Sequence, residues 1–197
     1  MTTPPDLSDF TKEEIRETLD EVRHPFDVAI YSSENYFNMA SIVRTCHANL
    51  CAKIWQVDFT KMYKRATMGT HKWENLSKVT LNEFLEQNTD RNIVVFERND
   101  QLDTEDIRYF QYPENPILFF GSEKFGVPDE VLNTASNIVS IPMFGIHNDL
   151  NISVAAGIVM YDFILKMSRE NIFNFDATKE KMDQERRAVS LKTVREG

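Results

Sequence analysis

Three places in this sequence bring together residue types that can do chemistry. In "SIPMFGIHNDLNISVAAGIVMYDFILK", Ser140 to Lys166, an apolar strand pattern runs into His147, Asn148 and Asp149, then at once into a helix that is apolar on most faces. A polar corner between two buried elements implies that something polar binds there. In "ENYFNMASIVRTCHANL", Asn38 and Arg44 are polar members of a helix that also carries Met39, Ile42 and Val43. In "ILFFGSEKFGVPDEVL", Glu123 stands in the loop after a fully apolar strand. Each residue also has an ordinary reading. An Arg on such a helix usually makes a structural salt bridge, and a lone loop Glu is usually solvated or caps the next helix.

Several site types are excluded. No G-x-G-x-x-G occurs, so the dinucleotide fingerprint is absent. "GSEKFGVP" has two glycines at P-loop spacing, but Val127 and Pro128 stand where Lys and Ser or Thr would reach phosphate and magnesium. A G-x-S-x-G elbow is missing, and His24, His47, His71 and His147 lie far apart, each read as structural or surface. Cys46 and Cys51 lie near His47 in "RTCHANLC", but no second pair completes a tetrahedral zinc site. Both cysteines are read as small core or interface residues, and no metal is expected.

The elements that must hold these residues follow from periodicity. Short β-branched and aromatic runs predict strands over residues 26–32, 52–59, 92–97, 115–121 and 137–143. Helical patterns fall at 36–49, 81–88, a short one near 104–110, 128–135 and 151–167. Such alternation predicts an α/β fold with a parallel sheet covered by helices, whose ligand site lies at the carboxyl ends of the strands. Residues 8–22 predict a surface helix, and the chain from Ser168 onward is charged, with "FNF" as one apolar anchor.

With 197 residues, the chain is long enough for one domain with extensions at either end. A hydrophobic share of 42% with 27% charged residues is that of a soluble globular protein, and no apolar run reaches membrane-spanning length. The opening "MTTPPDLSDF" lacks the regions of a signal peptide, so a cytoplasmic protein is expected. A net charge of −9 argues against nucleic acid, but "KMYKRATMGTHKW" and "ERRAVSLKTVREG" are basic and keep an RNA contact open.

Taken together, the three segments resemble the motifs of the SpoU/TrmH family of RNA ribose 2′-O-methyltransferases, in the SPOUT superfamily, over roughly residues 26–167. Asn38 precedes the pair Arg44-Thr45 by six residues, "GSEKFG" matches the second motif, and "IPMFGIHNDLNISVAAG" matches the third, with Asp149 where the family has Ser. "ATMGTHKW" is similar to the tRNA-methylating branch. The resemblance implies a parallel-sheet α/β-knot fold with a deep C-terminal trefoil knot at about 115–165. It implies a methyltransferase domain over 25–167, an N-terminal helical extension over 1–24 and a C-terminal extension over 168–197. It also implies S-adenosylmethionine (AdoMet) as cofactor, RNA and in particular tRNA as substrate, and a homodimer built on helices 36–49 and 151–167. Catalytic roles would fall to Arg44, Asn38, Glu123, Asp149 and Asn151, with Arg44 reaching the partner's pocket while Glu123 and Asn38 hold Arg44 or the ribose. Cofactor contacts would fall to Glu97, Phe120, Gly121, Ile141, Met143, Leu150 and Asn151. The alternative reading is a catalytically impaired AdoMet- and RNA-binding protein, because a carboxylate replaces the motif Ser.

Overall fold

The computed structural model describes residues 11–31, 35–59, 61–98, 101–146 and 149–169, with Glu180 and Gln184. Its elements are α1 (Lys12–Asp20), β1 (His24–Tyr31), α2 (Tyr36–Ala48), β2 (Cys51–Val57), β3 (Leu76–Val79), α3 (Leu81–Gln87), β4 (Ile93–Phe96), β5 (Glu105–Asp106), β6 (Ile117–Phe120), α4 (Asp129–Thr134), β7 (Asn137–Ser140) and α5 (Ile152–Arg169). All seven strands are parallel, in the order β3-β2-β1-β6-β4-β7-β5. Among the described residues no helix is long and apolar enough to cross a membrane.

Side-chain caps start four of the helices. Thr11 and Glu14 close a capping box on α1, and Thr80 and Glu83 do the same on α3. Asn35 accepts the Phe37 N–H at the head of α2, and Asn151 accepts the Ser153 N–H at the head of α5. Because successive strand residues face opposite ways, β1, β4 and β6 each supply two cores. Val28, Ile30, Val94, Phe96, Leu118 and Phe120 pack under α2 and α5 with Met39, Ile42, Val159 and Phe163. Ala29, Val95, Ile117 and Phe119 pack under α3 and α4 with Phe84 and Val131.

Two strands were not legible, and one predicted helix is not there. β3 is a short, half-polar edge strand whose pairing with β2 defines it rather than its own pattern. The helix expected near residues 104–110 is instead the two-residue strand β5 followed by a turn. Ile107 N–H donates to Ser140 O across the sheet, while the Asp106 carboxylate accepts the Arg108 N–H and so turns the chain. β7 stops at Ser140, short of the predicted Met143, because Pro142 has no N–H to give a ladder. The 8–22 helix shrinks to α1, with residues 8–10 outside the described set, and most of the 168–197 extension also lies outside it.

Ion pairing fastens the 61–75 segment beneath the sheet edge. The Arg23 guanidinium donates to Asp20, to Glu74, and to the carbonyls of Cys51 and Trp73, all within 3.0 Å. The second Glu74 oxygen lies 2.7 Å from His47 Nδ1, and the Glu74 side chain is 1% exposed. His47 is thus a structural residue, as are His24 against Asn49 O and His71 against Thr67 Oγ1; His147 lies outside the described residues. Cys46 and Cys51 are free, buried core residues, and burial pushes the Cys51 thiol well up from its ordinary value. No group of three His, Cys, Asp or Glu among the described residues could hold a metal. Removing one partner of a buried charge network leaves the other uncompensated. Glu74→Ala is therefore expected to cost about 3 kcal/mol in urea unfolding, and an unchanged midpoint would show that the network contributes nothing.

Candidate functional site

A cavity of about 600 Å³ opens at the carboxyl ends of three adjacent strands, β6, β4 and β7. It is lined by Phe120 of β6 with Gly121 just after it, Phe96 of β4 with Glu97 just after it, and Val139 of β7 with Ile141 just beyond its end. Met143, Asp149 and Leu150 form one wall, and Asn151, Ile152 and Ala155 at the head of α5 form another. The volume suits a ligand of nucleoside size, and the lining is mostly apolar with a few polar groups. Among the described residues, Glu97, Glu123 and Asp149 bring three carboxylates to it, against one guanidinium, Arg98. That balance favours a ligand carrying positive charge.

A polar chain closes the mouth of the cavity. Asn38, in the first turn of α2 and 7% exposed, donates from Nδ2 to Glu123 Oε1 at 2.5 Å. Its Oδ1 accepts from Asn151 Nδ2 at 3.1 Å, and the same Asn151 nitrogen is 3.5 Å from Glu123 Oε1. Asn151 Oδ1 accepts from both the N–H and the hydroxyl of Ser153. Every amide atom is thereby assigned a role, and the orientation of both side chains is set. Glu123 Oε2 makes no hydrogen bond among the described residues and stays available to a ligand.

The turn that carries Glu123 is built by three residues around it. Ser122 and Gly126 exchange two backbone hydrogen bonds, at 2.8 and 2.9 Å. Ser122 Oγ accepts the N–H groups of Lys124 and Phe125. Gly126 has φ +66°, and a Cβ there would lie 3.2 Å from Glu97 Oε2. A Cβ on Gly121 would lie 2.6 Å from the Gly126 carbonyl carbon, so the two glycines allow the strand end and the turn to touch. Glu97 is in turn anchored through Oε1, which accepts the Arg98 N–H.

All seven residues expected to contact a cofactor line this cavity, and so do Glu123 and Asp149. Asn38 joins them through its bonds to Glu123 and Asn151. Arg44 does not. Six residues along a helix is a rotation of 600°, which leaves Arg44 about 120° round the axis from Asn38. It is exposed and makes no hydrogen bond or ion pair among the described residues. Among the described residues Arg44 therefore lacks the structural salt bridge that is the ordinary reading of such an Arg, and within one chain Asn38 and Glu123 bond to each other. Sequence reasoning missed Ser122, Gly126, Arg98 and Ser153. Ser122 was the findable one, since a Ser two and three residues before free N–H groups is turn chemistry.

Comparison with known proteins adds four findings. The model of the SpoU rRNA Methylase family matches residues 25–161. The tRNA (guanosine(18)-2′-O)-methyltransferase of Thermus thermophilus is 31% identical over 129 residues, which are 64% of this chain and 66% of that enzyme. The Aquifex aeolicus enzyme of the same description is 30% identical over 155 residues, 75% of this chain and 72% of its own length. A crystal structure of the A. aeolicus TrmH/SpoU tRNA modifying enzyme superposes with a TM-score of 0.70 at 25% identity, covering 93% of this chain and 96% of that one.

The contact between Gly121 and Gly126 gives a stability test. Gly121→Ala forces backbone apart, so it is expected to destabilise by about 2 kcal/mol in urea unfolding and to widen the turn that holds Glu123. Wild-type stability in this variant would mean that the close approach is not required.

Proposed function

The chain belongs to the SpoU rRNA methylase family, and from that membership we propose that it is an AdoMet-dependent methyltransferase of RNA ribose 2′-hydroxyls, with tRNA as its substrate. The observation that carries the reading is the cavity at the ends of β6, β4 and β7 with the Asn38–Glu123–Asn151 chain across its mouth. The tRNA assignment draws on the T. thermophilus and A. aeolicus relatives and on "ATMGTHKW". A cytoplasmic place of action is part of the same proposal.

AdoMet fits the cavity by size and by charge. Apolar side chains at Phe120, Ile141, Met143 and Leu150 suit an adenosyl group, and the carboxylates of Glu97, Glu123 and Asp149 complement a sulfonium. Bound there, the cofactor supplies an electrophilic methyl group. The protein must align a ribose hydroxyl with it and assist the loss of a weakly acidic proton. Glu123, tied down through Oε1, orients the ribose with Oε2. Asp149 stands in the same cavity wall, where a carboxylate can take the proton that the hydroxyl gives up. Arg44 stays protonated, so it acts as an electrostatic group that grips the neighbouring phosphate and stabilises the developing alkoxide.

Arg44 reaches that place from the other subunit of a homodimer. Two features support this. Phe37, Ser41, Arg44 and Ala48 are exposed along one stripe of α2, and Val154, Ile158, Tyr161 and Leu165 are exposed along one stripe of α5. The two helices pack side by side, so the stripes form one surface that a second copy would bury. The trefoil knot at about 115–165 is proposed with the domain limits 1–24, 25–167 and 168–197. β6 and β7 lie on opposite sides of β4 while the loops after both return to one cavity, an arrangement consistent with it. The comparisons lend no support to the impaired reading drawn from Asp149.

Incubation with methyl-labelled AdoMet and unmodified tRNA tests the function. Label is expected in a 2′-O-methylnucleoside, falling about 10²- to 10³-fold in Arg44→Ala with AdoMet binding retained, and persisting at a lower rate in Asp149→Ser, which loses the carboxylate that takes the proton. A wild type that labels no tRNA, or a fully active Arg44→Ala, would sink the proposal.

A further inference from the structure

The turn from Gly121 to Gly126 has an inner and an outer part. Gly121, Ser122, Glu123 and Gly126 line the cavity, whereas Lys124 and Phe125 at the tip do not. Phe125 is 65% exposed, yet its backbone is tightly held. Ser122 Oγ accepts the Lys124 and Phe125 N–H groups at 3.2 and 3.3 Å, and the Ser122–Gly126 bridge closes the turn beneath them.

The turn's geometry calls for glycine at 121 and 126 and for a hydroxyl at 122, but nothing in it calls for an aromatic at 125. A polar side chain there would be solvated at no cost, so the fold of the turn does not require the ring. Lys124 Nζ lies 5.0 Å from the ring centroid. A rigidly presented aromatic face with a cation beside it is how proteins hold an unpaired nucleotide, the base on the ring and the phosphate on the cation. The pair stands one and two residues beyond Glu123, at the rim of the cavity where the target ribose must arrive.

We propose that Phe125 is the base-stacking residue of the RNA site and that Lys124 takes the adjoining phosphate, so that the chain selects a ribose in an unpaired segment. The inference rests on the methyl-transfer reading only for RNA as the ligand. A base within an A-form helix has no free face for the ring, so paired RNA is a poor ligand. The Lys124 ammonium beside the ring supplies the positive charge that a phosphate next to a stacked base requires.

The test uses the full chain with AdoMet and a short single-stranded RNA carrying 2-aminopurine, compared with its duplex. Phe125→Ala is expected to weaken single-strand binding about ten-fold and to abolish quenching of the 2-aminopurine fluorescence. Phe125→Tyr should restore both. Lys124→Gln should lower the slope of log affinity against log salt by about one. AdoMet affinity should be the same in all three variants, which shows that the turn still folds. Unchanged RNA affinity in Phe125→Ala would overturn the proposal. So would equal binding of single strand and duplex, or a change of oligomeric state in Phe125→Ala, which would place the ring between copies. A wild type that stacks RNA but transfers no methyl group refutes the function proposed above and leaves this inference standing.

Discussion

The hydrogen bond from Asn38 to Glu123 joins segments 85 residues apart, and the bond from Asn151 to Asn38 spans 113. Much of the site's geometry depends on these two contacts. Asn38 is almost fully buried, and a buried amide without partners costs about 1–3 kcal/mol. The first turn of α2, the turn after β6 and the head of α5 therefore have to arrive together. Once they do, the rotation of α2 is set, and with it the direction in which Arg44 leaves the helix. One polar contact thus orders both the inner wall of the cavity and the outer surface of the molecule.

The parallel sheet explains why the cavity lies where it does. β4 sits between β6 and β7, so three strand ends rise side by side, and the loops that follow must diverge to cover them. The space between diverging loops is the cavity. Backbone touches backbone at Gly121 and Gly126, which lowers the Glu123 turn onto Glu97 instead of letting it stand away from the sheet. A compact turn of this kind holds a carboxylate in place without a glycine-rich phosphate loop.

Outside the cavity the surface divides by chemistry. The exposed stripe on α5 is largely apolar, and the one on α2 carries Arg44. The 61–75 segment is basic but held down by Arg23, Glu74 and His47, so its Lys and Arg side chains are displayed from a fixed base. Trp73 belongs to that base: its carbonyl accepts from Arg23 and its ring lies 5.7 Å from that of His47. An acidic protein can in this way present local positive charge without being basic overall.

The sequence by itself determined the parallel α/β class, five of the seven strands and, through its short motifs, nine of the sixteen described residues that line the cavity. Those features are local: alternation, helical period, turn chemistry and short motifs are written in consecutive residues. Only the tertiary structure decided the rest. β3 and β5 exist because a neighbouring strand offers them hydrogen bonds, which no pattern within "LSKV" or "ED" announces. Ser122 and Gly126 matter because of what lies across the turn. That Asn38 faces Glu123 while Arg44 faces solvent follows from the angle between helix positions and from burial, since only one side of α2 meets the sheet. Residue types announce what chemistry is available, and packing alone decides which groups meet.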